Sequence, residues 1–186
     1  MPVKVLNREQ TVGTPAAGST DGDGERRWYA VWTRARHEKK VRDRLTARGM
    51  ETLLPPWRCK TRWKDRWKVI ELPLFPGYCL ARFTPAERLR VLQTPGVVDI
   101  VRHQGEIDPI PPSELAVIQT IVSGRLFYLP HPFLEAGAEV EITHGPLMGA
   151  RGILTRRDNP ARVVIGLTIV RQAVVVEIDA ADVTPL

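Results

Sequence analysis

The residues best suited to chemistry are polar side chains near the middle of the chain. Asp99, His103, Glu106 and Asp108 lie close together in sequence, and a metal-dependent nuclease could use such a set to hold a divalent cation. They surround a predicted strand and turn, where polar residues are routine. We therefore predict that this group is not a metal site and keep the nuclease as an alternative.

A second candidate for chemistry is His37-Glu38, which resembles the start of the zinc motif HExxH. Position 41 is valine, so the second histidine ligand is missing and the motif fails. The sequence contains no P-loop and no GxSxG element. We predict that the protein is not an enzyme and uses no catalytic residue, metal or cofactor.

Positive charge is concentrated in one part of the chain. Between Arg26 and Lys68 there are 15 Lys or Arg and 4 Asp or Glu, although the whole chain of 186 residues carries a net charge of only +6. Such a basic patch indicates a polyanionic partner, with a solvated, solubilising surface as the alternative.

The densest cationic stretch is WRCKTRWKDRWK, residues 57–68. We predict a hairpin with a three-residue loop, Lys64-Asp65-Arg66, because this register places Trp63 opposite Trp67 and keeps one face largely apolar. The hairpin either directs its cations toward phosphates or forms an edge blunted by charge. The pattern alone does not choose between these two interpretations.

The elements that position these residues alternate between strands and helices up to about residue 124. The patterns predict helices over 35–49, 85–96 and 111–124, with Gly49 ending the first and Ser113 capping the third. Strands are predicted over 28–33, 50–56, 78–83 and 97–102, which together favour one mixed sheet covered by helices.

The character of the sequence changes after residue 124. Residues 125–136 contain two prolines and are typical of an extended linker. Residues 137–186 contain five short β-branched segments, which predict a small barrel. We therefore predict an α+β protein with a disordered leader (1–25), a first domain (26–124), a linker (125–136) and a second domain (137–186).

The remaining composition gives no sign of export. The two cysteines, Cys59 and Cys79, have no zinc-type spacing and are expected to be free thiols in a reducing compartment. No apolar run is long enough to span a membrane, and the N-terminus lacks the apolar core of a signal peptide. We expect a cytoplasmic monomer that does not contact a membrane.

Two stretches carry a resemblance to a known family. WYAVWTRARHEKKVRDRL, ELPLFPGYCLARF and TPGVV form the first, and GAEVEITHGPLMGARGIL with VVVEIDAADVTPL forms the second. Over residues 27–186 these resemble the NusG family of transcription elongation factors, which have an N-terminal NGN domain followed by a KOW domain. Details of TRARHEKKV and LTIVRQAVVVEID resemble the specialised RfaH and UpxY-type antiterminators.

The resemblance implies a ferredoxin-like NGN sheet, a five-stranded SH3-like KOW barrel, and docking on the clamp helices of RNA polymerase. Transferred by motif, the apolar docking residues are Ala30, Trp32, Phe75, Pro76, Tyr78 and Leu80. Aromatic side chains next to a Pro-Gly turn are suited to an interface. The alternative is that Phe75 or Tyr78 is simply a core residue.

The resemblance also implies contact with non-template or upstream DNA. The matching positions at the first helix are Arg34, Lys40 and Arg44, with His37 and Lys39 nearby. The hairpin adds Arg58, Lys60 and Arg62. Phosphate contact requires only mobile cations, so this expectation does not extend to base-specific reading.

In the C-terminal part, the KOW pattern places Gly145, Gly149 and Gly152 in a strand-turn-strand unit. A Phe used by the housekeeping factor to bind Rho or a ribosomal protein corresponds here to Val170, which puts Rho binding in doubt. The expected function is an operon-specific elongation factor that reduces pausing and promotes antitermination. The alternatives are a housekeeping factor that couples to Rho or the ribosome, and a KOW-type RNA-binding protein.

Overall fold

The computed structural model describes residues 24–63, 66–124, 126, 128–132, 137–156 and 160–186. Most of the predicted leader and part of the predicted linker lie outside the described residues. The described strands are β1 Arg27–Thr33, β2 Glu51–Leu53, β3 Pro56–Trp63, β4 Arg66–Pro73, β5 Tyr78–Phe83, β6 Val97–Ile100, β7 Arg102–His103, β8 Glu106–Ile107, β9 Tyr128–Pro132, β10 Ala138–Ile142, β11 Arg151–Arg156, β12 Ala161–Leu167, β13 Gln172–Ile178 and β14 Val183–Pro185. The described α-helices are α1 Glu38–Ala47, α2 Arg88–Leu92 and α3 Pro112–Ser123.

The N-terminal region is built on a four-stranded sheet in the order β2-β5-β1-β6. Side chains alternate along β1, so Tyr29 and Val31 pack with Val41 and Leu45 of α1 on one face. The other face carries Ala30 in a second core, which also includes the α3 residues Leu115, Ile118 and Ile121. The predicted mixture of strands and helices is confirmed, with helices packed on both faces of this sheet.

The helix boundaries differ from the predicted ones for identifiable reasons. Helix α1 begins at Glu38 rather than at residue 35, because Arg36 has a φ of 62°, which a right-handed helix does not accept. Its predicted C-terminal glycine is confirmed, since Gly49 has a φ of 80°. The prediction that Ser113 caps α3 is wrong: the helix begins at Pro112, whose fixed φ suits the first turn, and Pro111 occupies the cap position.

The C-terminal sheet has six antiparallel strands in the order β14-β10-β11-β12-β13-β9. Strands β10 to β14 lie in the region where the sequence predicts five. The sixth, β9, comes from the predicted linker and pairs with β13, Leu129 opposite Val175. Its prolines, Pro130 and Pro132, are tolerated because β9 lies at the edge of the sheet.

Strands β3 and β4 form a separate hairpin whose register differs from the predicted one. Trp63 pairs with Arg66, and Trp67 pairs with Arg62, so Trp63 and Trp67 do not face each other and the predicted three-residue loop is wrong. The loop residues 64 and 65 lie outside the described part of the chain. The predicted register placed Trp67 and Val69 on the apolar face, but they are 70% and 57% exposed, so their burial did not favour that pairing.

The N-terminal region and the C-terminal sheet are in direct contact. One core cluster contains residues of both, among them Phe75, Leu80, Val140 and Val174. Among the described residues, three hydrogen bonds cross the contact. They run from Tyr128 Oη to Pro56 O at 2.6 Å, from Gln172 Nε2 to Pro76 O at 3.0 Å, and from Thr168 N to Glu114 Oε2 at 3.1 Å. We call this contact the sheet–region interface.

Candidate functional site

The Phe75-Pro76-Gly77-Tyr78 turn is held from two sides by its neighbours. Gly77 has a φ of 86°, which favours glycine. Its N–H donates to Glu38 Oε1 at 2.9 Å, and its carbonyl accepts from Thr33 N at 2.8 Å. The turn therefore has a fixed position between the end of β1 and the first turn of α1.

From the sequence, Glu38 was considered only as part of a failed zinc motif, although it is one of the best-buried charged residues in the described chain. Glu38 is only 7% exposed, and burying a carboxylate without a hydrogen-bond partner would cost free energy. The hydrogen bond from the Gly77 N–H satisfies one of its oxygens. The sequence feature that could have pointed to this role is the position of Glu38. It is a single acid in the first turn of a helix, within the cationic run RARHEKKVR.

The six predicted docking residues divide into a buried and an accessible group. Ala30, Phe75 and Leu80 are at most 2% exposed and belong to the core. Trp32 is 49% exposed, Pro76 is exposed and Tyr78 is half-buried. Trp32 lies opposite Tyr78 on the neighbouring strand β5, so these two aromatic residues share one face of the sheet.

A shallow cavity of about 240 Å³ lies beside these two aromatic side chains. Its remaining wall is formed by the β6 end and the residues that follow it, including Asp99 and Arg102. The Arg102 guanidinium pairs with Asp99 Oδ1 at 2.9 Å. The result is an apolar spot with a neutralised polar rim, the composition expected of an interface centre. We call Trp32, Pro76, Tyr78 and this cavity the aromatic surface.

The C-terminal sheet reaches the edge of the aromatic surface. The Gln172 side chain donates to the carbonyl of Pro76 at 3.0 Å, and Gln172 begins strand β13. Phe75 shares a core cluster with residues of the C-terminal sheet. The turn that the sequence predicts to be presented to a partner therefore contacts another part of the same chain.

The predicted cations of the first helix also divide into two groups. Arg34 and Lys40 are exposed, and among the described residues neither has a side-chain hydrogen bond or ion pair. By contrast, Lys39 Nζ donates to Glu71 O at 2.9 Å, and Arg44 Nη1 donates to Pro95 O at 2.5 Å. The first two are free to meet phosphates, while the second two hold α1 against the hairpin and the loop before β6.

His37 occupies a different environment from these cations. It is the residue before α1, and its Nδ1 is buried without a hydrogen-bond partner among the described residues. The ring packs against Gly96, where an added Cβ would lie 3.4 Å from the His37 Cβ. His37 therefore packs against the TPGVV segment rather than projecting from the helix.

The hairpin cations are only partly described. Arg58 has a side chain 78% exposed and pairs with Glu71 at 3.6 Å, which is a weak surface contact. The side chains of Lys60 and Arg62 lie outside the described part of the structure. Trp67, 70% exposed, lies on the same face of the hairpin as Arg58.

The acidic group that suggested metal chemistry forms an ordinary hairpin. His103 pairs with Glu106 across a turn in which Gln104 and Gly105 have φ values of 51° and 90°. Asp99 is engaged by Arg102 and by the Ile100 N–H. Among the residues that the structure describes, no group of three or more His, Cys, Asp or Glu could hold a metal ion.

The remaining candidates concern local conformation and reactivity. Gly145 and Gly149 have positive φ, at 85° and 82°. Gly152 is required for a different reason, because an added Cβ would lie 2.5 Å from Val164 O.

Burial raises the pKa of the Cys79 thiol to about 12, so Cys79 is not a nucleophile at neutral pH.

The described chain has no helix that is both long and apolar enough to cross a membrane.

No curated protein matches the sequence significantly. Among solved structures, one concerned with domain interaction in Thermotoga maritima NusG has 20% sequence identity and a TM-score of 0.58, covering 89% of this chain and 99% of that chain. The MjSpt4:Spt5 complex in conformation A has 18% identity and a TM-score of 0.29, covering 86% of this chain and 97% of that chain.

The likeness to the Thermotoga structure shows a shared fold, and a sequence identity of 20% does not extend it to a shared function. The sequence itself matches a family model described as transcription termination factor nusG over residues 26–119. That match includes the whole four-stranded sheet, helix α1, the Phe75–Tyr78 turn and most of α3. Since it spans half of the sequence, the chain belongs to the NusG family of transcription factors.

Proposed function

We propose that the protein is an elongation factor that docks on the clamp helices of RNA polymerase, reduces pausing and promotes antitermination at particular operons. The observation that carries this proposal is the aromatic surface. A tryptophan that is 49% exposed lies beside Tyr78, and aromatic side chains of this kind are enriched at the centres of protein interfaces. The surface lies within the segment matched by the family model.

The docking surface is smaller in this arrangement than the resemblance implies. Trp32, Pro76 and Tyr78 are available, whereas Phe75 and Leu80 support them from the core. Gln172 bonds to the Pro76 carbonyl at the edge of the surface. Complete engagement of the turn by a partner therefore requires the C-terminal sheet to move away from it.

DNA contact is assigned to Arg34 and Lys40, with Arg58 as an additional contact from the hairpin. The first two are exposed and make no side-chain bond within the described residues. Contact with the displaced non-template strand or with upstream DNA would neutralise phosphates without reading bases. Lys39 and Arg44 contribute instead by holding α1 in place.

The C-terminal sheet is proposed to be a KOW domain of SH3-like barrel type, comprising residues 137–186. Residues 26–124 are then the NGN domain, and residues 125–136 connect the two. The resemblance offers a ribosomal protein or Rho as the partner of the KOW domain, and Val170 stands where the Phe that binds either of them is expected. Val170 is also only 7% exposed, so this position is not available to a partner in the present arrangement.

We propose an RfaH/UpxY-like role for a monomer in the cytoplasm. A housekeeping factor that couples to Rho or the ribosome is the second candidate, and the family description as a termination factor favours it. The two candidates predict opposite effects at terminators. Neither requires catalysis, because a bound factor acts by shifting a conformational equilibrium of its partner.

The proposal is tested by transcription in vitro with the cognate polymerase, on a template with one pause site and one terminator. We expect shorter pauses and more read-through with the wild-type chain, and neither effect with Trp32→Ala. Rho is included in a parallel reaction. Increased Rho-dependent termination would favour the housekeeping role, and unchanged pausing and read-through would contradict both.

A further inference from the structure

Three parts of the chain meet at a groove to which the proposed function assigns no ligand. It has a volume of about 800 Å³ and lies between the start of α1, the base of the β3–β4 hairpin and strand β9. We call it the junction groove. Its size is within the range of sites that hold small organic molecules, which commonly lie where two parts of a protein meet.

The wall of the junction groove is predominantly apolar. Trp57 and Leu72 are cross-strand partners, so they project from the same face of the hairpin. Leu129 and Pro130 of β9 also line the groove. A half-buried indole with proline and leucine around it provides a flat surface on which an aromatic ring can stack.

The rim of the groove carries an excess of available positive charge. Arg36 and Lys40 lie at the rim and are exposed. Among the described residues their side chains have no hydrogen bond or ion pair. The lining also contains two acids: Glu38, which accepts from Gly77 N, and Glu71, which has a weak surface contact with Arg58. The three cations Arg36, Lys39 and Lys40 outnumber these acids. The groove therefore favours a ligand that carries an anionic group over one that carries a cationic group.

We propose that the junction groove binds a small molecule with a flat apolar body and one anionic group. The body lies against Trp57, Leu72 and Pro130, and the anionic group meets Arg36 and Lys40. The proposal does not rest on the polymerase assignment, because it concerns only the geometry and charge of the groove.

Occupancy of the groove has a consequence for the sheet–region interface. Strand β9 supplies one wall and pairs with β13 of the C-terminal sheet, while the other walls belong to the N-terminal region. A ligand that contacts both stabilises the arrangement in which they are together, by mass action. Such a ligand would hold the C-terminal sheet at the edge of the aromatic surface.

The test uses the full chain and two fluorescent probes of matched shape. One is 1-anilinonaphthalene-8-sulfonate, which is anionic, and the other is its uncharged relative N-phenyl-1-naphthylamine. We expect saturable binding of one sulfonate dye per chain, weakened by salt, and weaker binding of the uncharged dye. The thermal midpoint of the chain should rise with the concentration of the sulfonate dye.

Substitutions then locate the site. Trp57→Ala should weaken the sulfonate dye about tenfold, whereas Trp67→Ala should not change it, because Trp67 belongs to the same hairpin but points from the other face. Lys40→Gln and Arg36→Gln are surface changes that leave the core intact. Each should weaken the anionic dye several-fold and leave the uncharged dye unchanged.

Three outcomes would overturn the proposal. The first is equal loss of binding with Trp57→Ala and Trp67→Ala. The second is weak binding of many dyes per chain that Lys40→Gln and Arg36→Gln do not change. The third is complete displacement of the dye by a single-stranded oligonucleotide with the same dependence on Trp57, which would make the groove a nucleobase site instead.

Discussion

The aromatic surface and the cationic side of α1 lie on the same N-terminal region but differ in accessibility. Around the turn, Phe75 and Leu80 are buried, and Gln172 bonds to Pro76 at its edge. On α1, Lys40 is exposed and makes no side-chain contact within the described residues. Apolar side chains are buried against other parts of their own chain, whereas unpaired charged side chains remain in water. A partner of the turn must therefore compete with the C-terminal sheet, while a partner of α1 need not.

The largest effect should separate the buried from the accessible aromatic residues. Phe75→Ala should lower the free energy of unfolding by about 3–5 kcal/mol, because it opens a cavity in the shared core. Trp32→Ala should cost about 1 kcal/mol or less, since half of its side chain is already in water. Chemical denaturation of both variants provides the measurement, and equal losses would show that Trp32 is also a core residue.

The next effect concerns the support of the turn. Glu38→Ala should cost about 1–3 kcal/mol, because it leaves the partly buried N–H of Gly77 without its acceptor. Glu38→Gln should recover much of this loss, since its amide oxygen still accepts a hydrogen bond. Lys40→Ala is the control from the same helix and should leave stability unchanged. Equal stability of Glu38→Ala and Lys40→Ala would contradict the role given to Glu38.

A third effect should distinguish free from engaged cations on α1 and in the segment just before it. Arg34→Gln and Lys40→Gln should each weaken binding to single-stranded DNA. Each should also reduce the slope of log affinity against log salt by about 0.7 for every phosphate that the variant no longer neutralises. Arg44→Gln should lower stability instead, because Arg44 donates to the carbonyl of Pro95. Salt titrations of all three variants test this, and an unchanged slope for the Arg34 and Lys40 changes would remove them from the DNA assignment.

The smallest effect should come from the polar bonds of the sheet–region interface. Glu114→Ala and Gln172→Ala each remove one hydrogen bond, worth about 1 kcal/mol. Hydrogen exchange should therefore become faster at Tyr78 and Leu129 in each variant, while the exposed Glu139→Ala serves as control. Unchanged exchange in both would mean that apolar packing alone holds the interface.

The local conformations were predictable from the sequence where one residue type decides them. Gly49 ends α1 and Gly77 turns the chain because each takes a positive φ. The pairing of Trp63 was predicted wrongly, since it relied on an apolar face whose members Trp67 and Val69 are exposed. Contacts between distant segments, such as Arg44 with Pro95 or Gln172 with Pro76, leave no local signal in the sequence. For that reason the sequence predicted docking residues by type and left open whether Phe75 or Tyr78 is a core residue.

The most direct test of the account is an equilibrium titration of the full chain with the isolated clamp helices of the cognate polymerase. We predict that Trp32→Ala and Tyr78→Ala each weaken binding by at least about tenfold, as expected for aromatic residues at an interface centre. Arg34→Gln should bind as the wild type does. If the two aromatic variants bind with wild-type affinity, or if the wild-type chain does not bind, the aromatic surface is not the polymerase contact and the proposed function is wrong.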